Sequence, residues 1–398
     1  MSLLAVDEAL NRIIKSVKTL DSEIISLGDA LGRVTAMDIK AKLTQPPFAA
    51  SAMDGYAVRF GDIDQPLKLV GISQAGCSYD GVLKMGQAVR IFTGAPMVAG
   101  ADTVVIQENI TLNGDMVIIN DCKEKGANIR AIGGDFNEGD CLVGKNSKLD
   151  ARHIGLLAAG NVAKLCVYKK LKVTLLSTGD ELLEVGSQIS PDKIVNSNIP
   201  LFKALVEEHG AIAIDLGTAR DTVEDVKAKI ALVDNVDIFV SIGGVSVGDY
   251  DIIQDVLKEE GLKVNFWKVA MQPGKPVVFG DFKGIPYFGM PGNPSSAYVC
   301  FANFMLPAMQ QMQGLVPNGF KSSYAILNHD LKAGSNRANY MRAIYSQNDQ
   351  VQKYVDGRAS QGSSKLKTLA DANCLLLREV NAPAAKKGDL VKIFLIKP

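Results

Sequence analysis

Leu171-Lys172-Val173-Thr174-Leu175-Leu176-Ser177-Thr178-Gly179-Asp180-Glu181-Leu182 runs from an apolar, β-branched stretch directly into a loop of glycine and acids. Residues 173–176 read as a strand. Beyond the loop the pattern predicts a helix over 199–208, stopped by His209-Gly210, then a strand over 211–216 and a helix from Asp221-Thr222. A strand over 236–241, a helix over 252–260 and a strand over 264–269 follow. Strands and helices alternating at these lengths predict a parallel sheet with helices on both faces. Asn198 and Asp221 are the expected N-caps, with Pro200 near a first turn.

Near the N-terminus, Val6, Leu10, Ile13, Ile14 and Val17 recur at helical spacing, an amphipathic helix lying on something larger. Pro46-Pro47 precede a run of small residues, of which Ser51-Ala52-Met53-Asp54-Gly55-Tyr56 reads as a turn between domains. Short β-branched runs at 67–72, 88–92, 103–107 and 116–119 predict a small β-rich domain, and 152–159 reads as a helix again. The tail returns to β patterning at 324–327, 340–345, 375–378 and 390–396, which predicts a small barrel or sandwich. A chain of 398 residues exceeds one ordinary core. The expected division is a helical or mixed linker domain (1–44 with 136–170), an inserted β-rich domain (45–135), an α/β sheet domain (171–316) and a C-terminal β-barrel-like domain (317–398).

Lys plus Arg equals Asp plus Glu at 43 each, so no global field draws nucleic acid or a membrane surface. Any anion must be met by a local cluster. No apolar stretch is long enough to span a bilayer, and the first residues lack the pattern of a secretory signal. Six scattered cysteines without a Cys-x-x-Cys are expected to be reduced thiols of a cytoplasmic protein, and three widely spaced histidines argue against a histidine-rich metal site.

In a parallel α/β sheet, ligands bind beyond the carboxyl ends of the strands. Three such ends here lead into Ser177-Thr178-Gly179-Asp180-Glu181-Leu182, Gly217-Thr218-Ala219-Arg220-Asp221 and Ile242-Gly243-Gly244-Val245-Ser246-Val247-Gly248-Asp249-Tyr250-Asp251. Glycines admit a phosphate to backbone N–H groups, while acids in the same rim repel it unless a cation lies between. Glycine and acid together therefore point to a Mg²⁺–phosphate site, whereas turns and helix caps account for any one loop alone. Lys268 to Pro276 adds cations at a further strand exit, and Met290-Pro291-Gly292-Asn293-Pro294 forms a stiff turn before a helix. Arg337 and Arg342 are an odd number of residues apart, so a straight strand turns them to opposite sides. For that pair, an anion site and a solvated surface fit equally.

Taken in order, the run from Pro47 to Ala57, Phe92-Thr93-Gly94-Ala95, Gly134-Asp135, 177–182, 243–248, Pro273-Gly274-Lys275-Pro276 and Pro291-Gly292-Asn293-Pro294 resemble the MoeA family of molybdopterin molybdenumtransferases, related to the E domain of gephyrin. The resemblance spans nearly the whole chain. It implies a four-domain homodimer whose third domain is MogA-like. It implies insertion of molybdate into adenylylated molybdopterin with release of AMP, assisted by Mg²⁺. Contact with a MogA-type adenylyltransferase and with acceptor molybdoenzymes is implied as well.

Carried over residue by residue, Asp54, Glu181, Asp221 and Lys275 are the expected catalytic residues. Pterin nucleotide and molybdate are expected at Thr93, Asp135, Thr178, Gly179, Gly243, Gly244, Ser246, Lys268, Gly274, Pro291, Gly292, Asn293, Pro294, Arg342 and Ser363. Mg²⁺ is expected at Asp180, Glu181, Asp249 and Asp251. Three positions depart from the family pattern: Gln272 stands where Lys or Arg is common, Ala49-Ala50 replaces a frequent Asp-Asn, and Lys367 stands where serine is often found. The alternatives are a stand-alone molybdopterin adenylyltransferase, against which the β-rich and C-terminal domains argue, and a gephyrin-like scaffold without catalysis.

Overall fold

In the computed structural model, which describes residues 3–245 and 252–396, the opening run forms the strand Lys172–Thr178, second in a six-stranded sheet. The order in space is Ile212–Ala219, Lys172–Thr178, Ile238–Ile242, Ile285–Met290, Val278–Phe282 and Leu262–Trp267. The first four are parallel. Val278–Phe282 opposes both its neighbours, so Leu262–Trp267 again points the same way as the first four. The sheet is thus parallel but for one strand. That strand belongs to a hairpin whose two-residue turn, Lys283-Gly284, has both residues at positive φ, the geometry that matches the twist of adjacent strands. One edge of the sheet therefore gathers the carboxyl ends at Thr178, Ala219, Ile242, Met290 and Trp267.

Successive strand residues point to opposite faces. Val173, Leu175, Val240, Ile242, Phe288 and Met290 join Phe202, Leu205 and Val206 of the helix Asn198–Glu208 in one core. Leu176, Phe239 and Tyr287 join Val226, Ile230, Ile253, Val256 and Leu257 of the helices Val223–Ile230 and Ile252–Glu259 in another. Both faces are covered, which is why the strands read as nearly unbroken apolar runs.

The chain divides into two units, Met1–Glu23 with Tyr168–Pro398, and Ile24–Val167. The sequence grouping puts residues 1–44 together. The helix Val6–Ser16 instead buries Ala9 and Ile13 beside Phe301 and Phe304, and so belongs with the α/β sheet. In the same unit Ser322–Leu327, Ala338–Gln347, Lys353–Asp356, Cys374–Arg378 and Leu390–Leu395 form a closed five-stranded barrel, because Ala338–Gln347 pairs with both Lys353–Asp356 and Cys374–Arg378. The short strand Met271–Gln272 pairs with Ala338 and Asn339 and ties the barrel to the α/β sheet.

In the Ile24–Val167 unit, a second six-stranded sheet has the order Thr103–Ile106, Gly55–Val58, Gln87–Ile91, Leu67–Ser73, Met116–Ile119, Ile110–Asn113. The turn expected at 51–56 is present at Ala52, Met53 and Asp54, but it lies within one unit and leads at once into Gly55–Val58, an inner strand buried at every residue. A Cβ on Gly55 would lie 2.1 Å from the Val105 carbonyl oxygen, so the small residue serves close strand approach. Ala30 and Ile39 share a separate core with Val143, Leu149, Leu157 and Val167 around the helix Ala151–Ala159, which Asp150 and His153 start with a capping box. No described helix is long and apolar enough to cross a membrane.

Candidate functional site

A cavity of about 650 Å³ opens at the gathered carboxyl edge. Of the residues expected to bind or react, it is lined by Thr178, Gly179, Glu181, Asp221, Gly243, Gly244, Pro291, Gly292, Asn293 and Pro294. The strand Lys172–Thr178 ends at Gly179, whose φ of 141° is a backbone state that side chains resist. A Cβ there would lie 2.5 Å from Glu181 Oε2, so the glycine makes room for the carboxylate. Among the described residues no group hydrogen-bonds that carboxylate. Asp180 and Asp221 instead hold each other: the Asp180 N–H donates to Asp221 Oδ2 at 3.3 Å, and the Asp221 N–H donates to Asp180 Oδ1 at 3.1 Å. Lys193 Nζ donates to the Asp180 carbonyl at 2.6 Å and pins the same loop. Asp180 is therefore a loop clasp, and Glu181 and Asp221 are the carboxylates of the cavity wall.

Two further lining residues are Asn198, expected only as a helix cap, and Asn196, which carries no expectation from the sequence. Asn198 is not an N-cap but the first helical residue, 7% exposed. Asn196 does the capping, its Oδ1 accepting from the N–H groups of Asn198 (3.2 Å) and Ile199 (3.3 Å). Asn198 Nδ2 donates to the Gly292 carbonyl at 2.7 Å, which locks the Pro-Gly-Asn-Pro turn to the helix start. Asn196 and Asn198 both line the cavity. Their signal was two asparagines around Ser197 directly before an apolar helix. Likewise Thr222, not Asp221, caps the next helix, its hydroxyl accepting from the Asp225 N–H at 3.3 Å.

The cations stand apart from the lining. Lys268, at a φ of 74°, lays its Nζ over the Trp267 ring at 4.1 Å. Lys275 is exposed while its neighbour Pro276 lines the cavity, and Gly274 is buried against Cys300. Arg342 is not a solvated surface residue: it is 1% exposed, its NH2 donates to the Gly362 carbonyl at 2.9 Å, and its Nε has no partner. Burial pushes its pKa below the ordinary arginine value. Ser363 accepts through its carbonyl from the Ser295 N–H at 3.1 Å, and its neighbour Ser364 lines the cavity.

Three expected residues lie in the Ile24–Val167 unit. Asp54 Oδ1 accepts from both the N–H and the hydroxyl of Thr93, each at 2.8 Å. Those bonds, the backbone one first, with the Arg90 charge added, hold its carboxyl below the usual carboxylate range. Asp135 is exposed, its N–H donating to the Gln45 carbonyl at 3.0 Å. Ser246, Asp249 and Asp251 lie outside the described residues.

The chain matches, in succession, the MoeA N-terminal region (domain I and II) over residues 4–160, a probable molybdopterin binding domain over 174–311 and the MoeA C-terminal region (domain IV) over 324–396. It is 36% identical to the molybdopterin molybdenumtransferase of Haemophilus influenzae, covering 98% of each chain. With that of Nostoc sp. it is 34% identical, covering 93% of this chain and 89% of the relative. The molybdopterin biosynthesis MoeA protein of Pyrococcus horikoshii superimposes with a TM-score of 0.85 at 26% identity, over 99% of this chain and 100% of that one. Matched from end to end in sequence and in fold, the chain belongs to the MoeA family of molybdopterin molybdenumtransferases.

Proposed function

We propose that the protein inserts molybdate into an adenylylated, phosphate-bearing pterin and releases AMP, with Mg²⁺ assisting, as a transferase of molybdenum cofactor biosynthesis. The observation that carries this reading is the cavity in which Glu181 and Asp221 share a wall with Gly179, Gly243 and Gly244. Glycine N–H groups suit phosphate oxygens, while the carboxylates repel them unless a cation lies between. The volume fits a ligand of nucleotide size.

Among the described residues no three His, Cys, Asp or Glu side chains group as a metal site. Mg²⁺ needs fewer, since one or two carboxylates suffice when substrate phosphates and water fill the remaining positions. Glu181 and Asp221 meet that requirement with hard oxygen donors. When bound, Mg²⁺ supplies charge neutralisation on the phosphate oxygens. The chain's own part is to seat the phosphates on the glycine loops and to bring the Lys275 charge to the oxygen released with AMP. Lys268 and the buried Arg342 draw the molybdate dianion. In this reading the sulfur ligands come from the pterin, and among the described residues no cysteine lines the cavity.

The deciding experiment follows AMP release from adenylylated molybdopterin with and without molybdate and Mg²⁺, for the wild type and Glu181→Gln. Release that depends on both ions and is lost in the variant is expected. Folded protein that releases no AMP, or a variant as active as the wild type, overturns the reading. The same reading carries a homodimer supplied by a MogA-type adenylyltransferase and emptied by acceptor molybdoenzymes. Sedimentation equilibrium checks the first part, and a monomer is the contrary result.

A further inference from the structure

The barrel strand Ala338–Gln347 loses its neighbour midway. Its pairing with Lys353–Asp356 ends at Ile344 opposite Asp356. Continuing that register by two residues would set Arg358 opposite Arg342, but the chain turns away. Arg358 folds back on Asp356, donating from its N–H and its Nε to the carboxylate at 2.9 Å each. The place beside Arg342 is taken by the side chain of Gln361. The Arg342 N–H donates to Gln361 Oε1 at 2.9 Å, and Gln361 Nε2 donates to the Arg342 carbonyl at 2.9 Å. One carboxamide reproduces the two-bond exchange of a paired strand residue. The same Nε2 lies 3.2 Å from the Gly357 carbonyl and 2.9 Å from that of Ala359, so it also closes the turn from which it comes.

The residues that follow depend on that closure. Gly362 takes the Arg342 NH2, Ser363 takes the Ser295 N–H, and the Lys365 carbonyl takes the Ser295 hydroxyl at 3.3 Å. Ser364 and Leu366 are cavity wall. The segment 357–366 is thus fixed at one end by Gln361 and at the other by the start of the helix Pro294–Cys300, with the buried Arg342 guanidinium below it. A buried cation with an unpartnered Nε keeps its bearing only if the backbone above it stays in place.

Resting on the reading of the site given above, we propose that Gln361 is a positioning residue for oxyanion capture: its carboxamide stands in for a strand beside Arg342 and holds the Gly362-Ser363-Ser364 backbone between that guanidinium and the cavity. It touches no substrate and acts through the turn.

The test uses two variants of the full chain. Gln361→Met keeps the length and removes every hydrogen bond. Gln361→Glu keeps the acceptor for the Arg342 N–H but turns a negative oxygen toward the carbonyls of Arg342, Gly357 and Ala359. Both are expected to raise the KM for molybdate roughly ten-fold, the worth of one or two lost hydrogen bonds, with kcat and the KM for the adenylylated pterin within about three-fold of the wild type. Calorimetric titration with sodium molybdate is read alongside and does not depend on turnover. Weaker molybdate binding in both variants supports the positioning role even if the wild type releases no AMP, in which case only the reaction assignment fails. An unchanged molybdate KM and affinity in variants that melt like the wild type overturns the proposal and leaves the reaction assignment standing. Equal losses toward both substrates, with a lowered melting temperature, overturn it in favour of a purely structural glutamine.

Discussion

In Met53-Asp54-Gly55 the glycine lies inside a sheet, where a Cβ would meet the Val105 backbone, and the acid is held by the N–H and hydroxyl of Thr93. In Thr178-Gly179-Asp180-Glu181 the glycine sits at a strand end beside a cavity, where a Cβ would meet only the tip of Glu181. The local sequences look alike, an acid among small residues. In the first segment the neighbour that makes the glycine necessary is rigid backbone, and one carboxylate oxygen, Oδ1, accepts both bonds from Thr93. In the second the neighbour is a flexible side chain, and no described residue hydrogen-bonds its carboxylate. The first glycine is required by the sheet, and the second stands beside a cavity-lining carboxylate that no described residue holds.

Glu181 is expected to be indispensable. Glu181→Gln preserves size and removes the charge, and a loss of roughly 100-fold or more in AMP release is expected, as for other groups that set charge in an active site. An equally active variant would put the cavity's chemistry on Asp221 or elsewhere.

The two glycines should then fail in opposite ways. Gly55→Ala places a methyl against a carbonyl that cannot yield, and a destabilisation of about 3 kcal/mol is expected from strand displacement. Thermal melting reads that cost. Gly179→Ala asks for a φ that alanine resists and pushes Glu181 aside. A smaller loss in stability is expected, about 1 kcal/mol, with AMP release down roughly ten-fold through the displaced carboxylate. If Gly55→Ala melts like the wild type, or Gly179→Ala unfolds before it loses activity, the distinction between fold glycine and site glycine is wrong.

The contrast also separates what the sequence could tell from what it could not. The rim at Gly179, Gly243 and Gly292 was legible because glycine and acid at strand ends follow from the alternation of strands and helices, which is local information. The strand Gly55–Val58 was not, because its requirement is closeness to Val105, a neighbour distant in sequence. The hairpin at Lys283-Gly284 lacked the Asn-Gly or Asp-Gly signal and left the reversed strand unannounced. Asn196 and Asn198 are both plausible caps on paper, and only the backbone path decides which one turns inward. Strand parity does not bear on Arg337, which precedes the strand Ala338–Gln347, and the burial of Arg342 had no signal, since a charged side chain is rarely buried without a partner.

Thr93 tests Asp54 more gently. Thr93→Val keeps the side-chain shape and the backbone N–H, the larger of the two Thr93 contributions, and removes only the hydroxyl donor. The Asp54 carboxyl should therefore titrate higher than in the wild type yet still below an ordinary aspartate, which an NMR titration of its carboxyl carbon measures directly. A group whose folded pKa is depressed stabilises the fold above its unfolded pKa, and that contribution is lost as pH falls through the folded value. The wild type should accordingly melt slightly above Thr93→Val at neutral pH, with the gap closing on acidification below the Asp54 titration. A gap that persists in acid would mean that the hydroxyl supports the fold through something other than the ionised carboxylate, and the Asp54–Thr93 contact would no longer set that acid apart from Glu181.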